Sequence, residues 1–440
     1  MPLPPRVRLP ALVQGAAFAI DMVGFLERSR NRYGDVFEVR LPGIGKFVYV
    51  ADPALVKQVF AADRDIGLAG EARRPFFEPL LGSESLLTTD GEQWERQRKL
   101  LGPPFHGELI EGYREQMREI AAASIAGWPR GEPIKMRPRM QEITLEVILR
   151  LVFGIEDADR LARLRDLLPK LGEDGAWLFW LPPDFRPGWF PPLRNIFKRR
   201  DEIDEILFDE IARRRRDPDV AERKDILSLL VAGGEAGDQE LRDELMTLLA
   251  AGHETTATSL AWAFERLVRH PRVVEKIRAE APEEEYLDAV VKETLRIRPV
   301  IQDVIRKLKE PMQLGEWTIP VDRHVTPAIV LVQRRGDIHE DRKAFKPERF
   351  LGNPKTFSGW IPFGGGRRRC VGSHMAMLEM KVVIREVLER VDLEPADARS
   401  ERARLHHVTL VPAKGATVIA RDRVADSGQP EHEPPRAAVV

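Results

Sequence analysis

Cysteine is almost absent from this sequence, with one residue, Cys370, among 440. A single cysteine excludes an internal disulfide framework, and it also excludes a zinc or iron–sulfur site built from several cysteines. The same scarcity favours a reducing compartment. One thiolate can still act as a nucleophile or as a single ligand to a metal.

The sequence also lacks an appreciable net charge and a long apolar run. Lys and Arg total 69 against 70 Asp and Glu, so no overall field favours nucleic acid or an acidic membrane. The most apolar N-terminal stretch, residues 11–26, is interrupted by Gln14 and Asp21. It is shorter than the roughly 20 apolar residues that span a bilayer, and it shows no signal-peptide cleavage pattern. We therefore predict a cytoplasmic protein without a transmembrane anchor.

Helical periodicity dominates the rest of the chain, and no repeat or linker divides it. The longest predicted helix runs from about Gln239 to His270. We expect hairpins at residues 36–52 and within 406–420, and short strands at 312–320 and 324–332. The sequence therefore predicts one mainly α domain with a minor β-sheet lobe, residues 1–424. The remaining residues, 425–440, have the composition of a disordered tail.

The cysteine lies in a loop with the sequence PFGGGRRRCVG, residues 362–372. Adjacent arginines and a following helix N-terminus both favour a thiolate, and the glycines let a flat group approach the backbone. Three interpretations remain open from the residues alone. The loop is a surface turn with an inert cysteine, an anion-binding loop, or the site of one thiolate ligand to a planar dianionic cofactor such as haem. The Gly-Lys-Ser/Thr of a phosphate-binding loop is missing, which weakens the second interpretation.

A second motif, AAGHETT, lies in the middle of the long predicted helix. The neighbours of Glu254 on its helix face are small residues: Ala250, Ala251, Ala257, Thr258 and Ala261. Such a strip leaves room for a bulky ligand, although an acid and threonines on a solvated face are the simpler alternative. The hydroxyl of Thr255 can compete for a backbone carbonyl and loosen the helix locally.

These motifs together resemble the cytochrome P-450 family. FGGGRRRCVG matches the pattern Phe-Gly-x-Gly-x-Arg-x-Cys-x-Gly at every fixed position, with Ala376 and Glu379 following where the family expects them. Trp94 and Arg98 resemble the family's Trp-x-x-x-Arg, and Glu293 and Arg296 resemble its Glu-x-x-Arg. The resemblance implies a mainly α fold with haem between the long central helix and the cysteine loop.

The resemblance also implies roles for individual residues. Cys370 would be the iron ligand, and Glu254 and Thr255 would be catalytic, delivering protons during dioxygen activation. Glu293, Arg296 and Arg349 would form a buried structural triad. The remaining residues that would bind the cofactor are Trp94, Arg98, Ala251, Arg306, Phe363, Gly364, Arg368 and Gly372.

The implied activity is that of a haem-thiolate monooxygenase. It inserts one oxygen atom of O2 into a C–H bond, with haem b as cofactor and electrons from NAD(P)H. The chain has no recognisable flavin domain and cannot build a four-cysteine cluster, so we expect a separate ferredoxin or flavodoxin with its reductase, and a monomeric enzyme. The basic residues Arg96, Lys99, Arg367 and Arg369 would steer an acidic donor. A peroxide-driven peroxygenase and a non-catalytic haem-binding sensor are the alternatives.

The resemblance predicts a mostly apolar substrate pocket, which suits a medium-sized hydrophobic substrate such as a fatty acid, terpenoid or steroid-like molecule. The aromatic segment 172–193 is either part of that pocket, a lid, or ordinary loop packing. His406 and His407 either hydrogen-bond a polar substrate group or are ordinary turn residues. The predicted wall residues are Phe76, Phe77, Leu86, Leu87, Trp177, Phe179, Trp180, Ala250, Val300, Ile301, Val304 and His407.

Overall fold

A computed structural model describes residues 2–423, apart from 64–65, 106, 176–177, 179–180, 182–185, 187–188, 281–283 and 353–356. The predicted tail at 425–440 lies outside the described residues, and so do Trp177, Phe179 and Trp180. Within the described residues, no helix is long and apolar enough to cross a membrane.

Helices form most of the described structure, as the periodicity predicted. Their bounds are α1 (Ala11–Tyr33), α2 (Pro53–Ala61), α3 (Ala69–Leu81), α4 (Gly91–Leu101), α5 (Glu108–Glu111), α6 (Arg114–Ala126), α7 (Met136–Val147), α8 (Ala158–Asp174), α9 (Pro191–Arg216), α10 (Ile226–Ala232), α11 (Asp238–Leu267), α12 (Pro271–Ala279), α13 (Glu285–Ile297), α14 (Ile329–Val332) and α15 (Ser373–Arg390).

The strands form small sheets beside the helices. They are β1 (Val36–Leu41), β2 (Gly45–Val50), β3 (Gly67–Leu68), β4 (Pro133–Lys135), β5 (Arg306–Leu308), β6 (Met312–Leu314), β7 (Trp317–Ile319), β8 (His324–Pro327), β9 (Val391–Pro395), β10 (Ala403–His406), β11 (Thr409–Pro412) and β12 (Thr417–Asp422). One five-stranded sheet has the order β1-β2-β8-β5-β3, in which β2 and β8 are parallel with Val48 opposite Val325. A three-stranded sheet has the order β4-β12-β9, and β6-β7 and β10-β11 are two-stranded.

Two of the strand predictions were wrong in detail. Residues 324–332 form β8 only as far as Pro327, and α14 follows, because the amides of Leu331 and Val332 donate to the Ala328 carbonyl and not to a neighbouring strand. Residues 406–420 do not form one hairpin. Instead β11 pairs with β10 across the turn at His407, whereas β12 pairs with β9 and β4. Alternating hydrophobicity identifies a strand but does not identify its partner.

The long helix α11 is the centre of the fold and confirms the predicted helix to within three residues. Asp238 and Glu240 lie in its first turn, where acidic side chains stabilise a helix N-terminus. It is buried along residues 240–249 and again along 256–267, and it packs against α7 and α15. A helix that is buried on every side belongs in the middle of a large core. The turn at 250–255 is the exception, and it marks the site.

Candidate functional site

A cavity of about 1370 Å3 separates the open turn of α11 from the cysteine loop. Ala250, Ala251, Glu254 and Thr255 line it from one side, and Cys370 lines it from the other. Pockets for single small ligands usually enclose about 300–1,000 Å3. The cavity therefore has room for a large cofactor and a substrate together.

Close backbone packing shapes the cysteine loop. Gly364 and Gly366 have φ values of 70° and 64°, a region that disfavours other residues. At Gly365 a Cβ atom would lie 2.5 Å from the Phe60 ring, so α2 presses directly on the loop. The Cys370 amide donates to the Phe363 carbonyl at 3.0 Å, which closes the turn ahead of α15. These contacts fix the conformation of the loop, so it is not an unconstrained turn on the surface.

The Cys370 thiol is free, and its accessible surface faces the cavity that it lines. Burial away from bulk solvent raises its pKa, while the Gly372 amide, Arg98 and Arg369 act in the opposite direction. A metal ion deprotonates a coordinating thiol outright. The electrostatics are therefore those of a buried thiol that becomes a thiolate when a cation binds it.

Arg368 is fixed at the cavity wall by several contacts. Its guanidinium lies 4.2 Å from the centre of the Trp94 ring, forms an ion pair with Asp90, and donates to the Thr89 carbonyl at 2.8 Å. Burial lowers its pKa to about 10. Trp94 is itself buried and lines the cavity, so the structure brings together two residues that lie 274 positions apart in the sequence.

Three of the other arginines that line the same cavity come from α3, α4 and β5. Arg306 is buried and forms an ion pair with Asp63, with Nη2 at 3.0 Å from Oδ2. Arg98 reaches the cavity from α4, and burial lowers its pKa. Arg73 comes from α3 and has neither a hydrogen bond nor an ion pair among the described residues. We call these three and Arg368 the cationic rim.

Arg73 is a site residue that the sequence did not reveal. Burial, with Arg306 and Arg368 nearby, lowers its pKa to about 9. It belongs to no motif, and the adjacent Arg74 is exposed and pairs with Glu78 on the same helix. Only the packing of α3 against the sheet makes Arg73 a cavity residue and leaves Arg74 exposed.

The cationic rim fits the propionates of haem. The rim has four guanidinium groups, and two of them are paired: Arg306 with Asp63, and Arg368 with Asp90. Among the described residues, the rim therefore has two more guanidinium groups than paired carboxylates, and buried positive charge is costly without an anion. A planar dianion that presents its metal to one sulfur would satisfy both the rim and Cys370.

Glu254 is held on the far side of the open turn by α7. Arg137 Nη2 lies 2.5 Å from its Oε1, Gln141 Nε2 lies 2.6 Å from its Oε2, and the Thr258 hydroxyl donates to Oε1 at 3.3 Å. Burial acts to raise the pKa of Glu254, but Arg137, Gln141 and His253 outweigh it and hold the pKa below the ordinary value. The site therefore contains a fixed carboxylate at neutral pH.

Thr255 opens onto the cavity with its hydroxyl engaged. Its Oγ1 donates to the Ala251 carbonyl at 2.7 Å, which is the competition for a backbone acceptor that the sequence suggested. The hydroxyl oxygen keeps lone pairs free to accept a proton donor in the cavity. Glu254 and Thr255 are thus neighbours in sequence with different partners. Glu254 forms an ion pair with α7, whereas Thr255 bonds to the backbone of its own helix.

The strip of small residues around Glu254 is divided between the cavity and the protein core. Ala250 and Ala251 do line the cavity. Ala257, Thr258 and Ala261 are fully buried in the protein core instead. Small side chains there let α7 approach α11 closely, and a Cβ atom at Gly252 would lie 2.7 Å from the Ile148 side chain.

Most of the predicted wall residues line the cavity. Phe77 does so, whereas Phe76 does not, because consecutive helical side chains point about 100° apart. His407 has a φ of 56° at the β10–β11 turn and stacks on His406 with ring centres 4.0 Å apart. Burial lowers the pKa of His407 to about 4. The others that line the cavity are Leu86, Leu87, Ala250, Val300, Ile301 and Val304.

The residues expected to form a triad do meet, behind the site. Arg296 Nε lies 2.6 Å from Glu293 Oε2, Arg349 Nε lies 3.1 Å from Glu293 Oε1, and all three side chains are buried. The Lys346 amide adds a hydrogen bond of 2.9 Å to Glu293. The triad joins α13 to the segment that precedes the cysteine loop.

Comparison with known proteins agrees with this geometry. The family model for cytochrome P450 matches residues 2–420. The chain is 43% identical to "Putative cytochrome P450 135B1" of Mycobacterium tuberculosis (strain ATCC 25618 / H37Rv), over 96% of this chain and 92% of that protein. It is 38% identical to "Putative cytochrome P450 138" of the same strain, over 96% and 97%.

Solved structures show the same fold. The retinoic acid-bound cyanobacterial CYP120A1 superposes with a TM-score of 0.83 at 23% identity, covering 96% of this chain and all of that one. The cytochrome P450DA heme domain gives 0.84 at 21% identity, covering 96% and 98%. With the cysteine loop, the cationic rim and the open turn of α11 in place, the chain belongs to the cytochrome P450 family.

Proposed function

We propose that this protein is a haem-thiolate monooxygenase that hydroxylates a medium-sized hydrophobic substrate, with electrons from a separate donor. One observation carries the proposal. Among the described residues, a lone cysteine, a cationic rim with two more guanidinium groups than paired carboxylates, and an acid–threonine pair all border one cavity. A haem-binding sensor needs the first two features alone, and by resemblance peroxygenases on this fold often lack the acid–threonine pair.

Haem b would be held by Cys370 at the iron and by the cationic rim with Trp94 at the propionates. Phe363, Gly364 and Gly372 would border it in the cysteine loop, and Ala251 would face it from α11. Bound in this way, haem supplies the activation of dioxygen and the insertion of one oxygen atom into a C–H bond. The protein itself supplies orientation, exclusion of water and protons.

Glu254 and Thr255 would deliver those protons. As an ionised group, Glu254 accepts a proton from the solvent side and releases it toward the cavity, and Thr255 Oγ1 offers the next acceptor and donor. The hold of Arg137 and Gln141 fixes where that exchange takes place. Arg137 and Gln141 lie on α7, so one helix positions the proton-delivering pair that the other helix, α11, carries.

The cavity wall supports an apolar substrate. Phe77, Leu86, Leu87, Val300 and Val304 provide apolar surface, which favours substrates of the fatty acid, terpenoid or steroid-like class. His407, with its lowered pKa, is neutral at pH 7 and can exchange a hydrogen bond with a polar substrate group. No charged substrate group is required.

Electrons would come from NAD(P)H through a ferredoxin or flavodoxin and its reductase. Of the four basic residues expected to steer the donor, Arg96 pairs with Glu240 and Arg367 pairs with Glu95 at 2.7 Å. Lys99 and Arg369 are exposed and have no ion pair among the described residues. We therefore assign the steering of an acidic donor to Lys99 and Arg369.

Carbon monoxide spectroscopy of the reduced protein tests the proposal. The wild type should show the red-shifted band of a thiolate ligand, and Cys370→Ser should lose that band. Turnover with a ferredoxin, its reductase and NAD(P)H should then exceed turnover with peroxide alone. The opposite order would make the protein a peroxygenase, and a thiolate band without oxygen consumption would make it a sensor.

A further inference from the structure

The first half of α1 buries a polar side chain and exposes several apolar ones, while Ala17 and Phe18 pack against the core. Gln14 is 1% exposed, and its Nε2 donates to the carbonyls of Leu9 at 2.7 Å and Val7 at 3.2 Å. Its Oε1 accepts from the Arg40 amide at 2.8 Å. On the outer side, Leu12 is 78% exposed and Ile20 is 84% exposed. Helices on protein surfaces ordinarily have the reverse polarity.

The second half of α1 shows that this inversion is local. Asp21 has non-helical φ and ψ values of −148° and 71° and divides the helix. Beyond it, Met22, Phe25 and Leu26 are buried in the core beneath the sheet, as in an ordinary amphipathic helix. The outward apolar residues are therefore confined to residues 11–20.

The exposed residues lie on segments of the chain that contact one another, and the Thr318 amide donates to the Pro2 carbonyl at 3.0 Å. A Cβ atom at Gly15 would lie 3.0 Å from the Pro42 side chain, so α1 rests on the β1–β2 turn that carries Ile44. Lys46 Nζ lies 2.8 Å from Asp322 Oδ2, which places that hairpin beside Val321. Ten large hydrophobic residues are exposed in the described part of the chain. Seven of them lie on these segments, and we call their surface the apolar face: Leu3, Leu9, Leu12, Val13, Ile20, Ile44 and Val321.

The charge around the apolar face favours an anionic partner. Residues 1–50 contain seven Lys and Arg against four Asp and Glu, although the whole chain has a formal net charge of −1. Arg8 and Arg32 are exposed there, whereas Arg28 is exposed but pairs with Asp21 at 3.2 Å. A second copy of the chain would bring these cations against each other, whereas anionic lipid headgroups would neutralise them.

The length of the segment fits a helix that lies on a membrane. Ten residues of helix extend about 15 Å, half of the roughly 30 Å needed to cross the hydrocarbon core. Apolar side chains on one side with arginines around them are typical of helices that lie in the headgroup region. We propose that the apolar face binds the surface of an anionic lipid bilayer.

Vesicle co-sedimentation of the full-length haem-loaded protein tests this binding. The probes are vesicles of phosphatidylcholine alone and vesicles with one quarter phosphatidylglycerol. We expect binding to the second kind, weakened by high salt because the arginines contribute. Leu12→Glu with Ile20→Glu should reduce partitioning by at least about tenfold, and Phe208→Glu, at an exposed apolar residue in α9, should change it little.

Two further measurements distinguish a loss of lipid binding from a loss of folding and from dimer formation. Leu12→Gln with Ile20→Gln removes the apolar surface without adding charge, and its thermal midpoint should match the wild type. Light scattering reports the oligomeric state. Equal partitioning of wild type and both double variants would overturn the proposal. So would a wild-type dimer that ignores vesicles and dissociates in the double variants, because a second copy would then cover the face.

Discussion

Arg137 and Gln141, one helical turn apart on α7, hold the two carboxylate oxygens of Glu254 in α11. The distances are 2.5 Å from Arg137 Nη2 to Oε1 and 2.6 Å from Gln141 Nε2 to Oε2. The position of the acid is thus set by a helix that carries none of the family's sequence motifs. The charge of Glu254 and the contacts that position it can therefore be altered by separate substitutions.

Replacing Glu254 with Gln should lower kcat by about 100-fold or more, because general acid–base groups contribute about 10²–10⁴-fold. The amide keeps the size of the side chain but cannot carry the proton. Substrate binding, measured by spectral titration, should stay within about twofold. Glu142→Gln is the control, since its carboxylate is exposed on α7 and pairs with Arg139 at 3.2 Å. A Glu254→Gln enzyme with wild-type kcat would remove the acid from the mechanism.

Replacing Arg137 with Gln should shift the acid limb of the kcat–pH profile to higher pH. Arg137 is the largest influence that lowers the pKa of Glu254 against the effect of burial. Without it the pKa rises, so the carboxylate is lost at a higher pH and activity falls earlier on acidification. Arg139→Gln, two residues along the same helix, should leave the profile in place. Identical profiles for both variants would contradict the assigned role of Arg137.

Gly365→Ala should destabilise the cysteine loop and lower haem retention. The added Cβ would lie 2.5 Å from the Phe60 ring, which is buried in a core cluster and has little room to move. We expect a loss of about 1–3 kcal/mol in the free energy of unfolding, the usual cost of overpacking. Gly233→Ala, with an ordinary φ of −64° and no atom closer than 3.5 Å to its Cβ position, is the matched control. Urea denaturation and haem transfer to apomyoglobin measure the two effects, and equal behaviour of the two variants would refute the packing argument.

The sequence predicted the parts of the site that lie in continuous segments. The cysteine loop, the acid–threonine pair and the pairing of Glu293 with Arg296 each occupy one loop or one helix, so their spacing carries the information. Arg73 and Arg137 could not be found in this way. Each is an ordinary helical arginine until α3 meets the sheet and α7 meets α11, and both contacts join segments far apart in the chain.

The same limit explains the errors in the fold. Small residues along α11 indicated that something approaches closely, but the sequence could not distinguish a ligand from α7. The alternation near the C-terminus indicated strands, but β12 paired with β4, which lies some 280 residues earlier. Local pattern determines the kind of element, whereas the partner is determined by the packing of the whole chain.

Asp303 should make stability depend on pH. It has no ion pair among the described residues, and Tyr49 Oη donates to its Oδ2 at 3.1 Å. Burial raises its pKa to about 7, although the Tyr49 hydrogen bond lowers it in part. An unfolded aspartate ionises near pH 4, so the folded state binds the proton more tightly between pH 4 and 7. Stability from this group is present below pH 4 and is lost as the pH rises toward 7.

Asp303→Asn should therefore gain stability relative to wild type as the pH increases. We expect the difference in the free energy of unfolding to grow by about 1–4 kcal/mol between pH 4.5 and 8. Tyr49→Phe should raise the pKa of Asp303 further and extend the wild-type decline to higher pH, because the carboxylate loses its donor. Urea denaturation across that range measures both effects. A constant difference between wild type and Asp303→Asn would mean that Asp303 is ionised in the folded protein throughout.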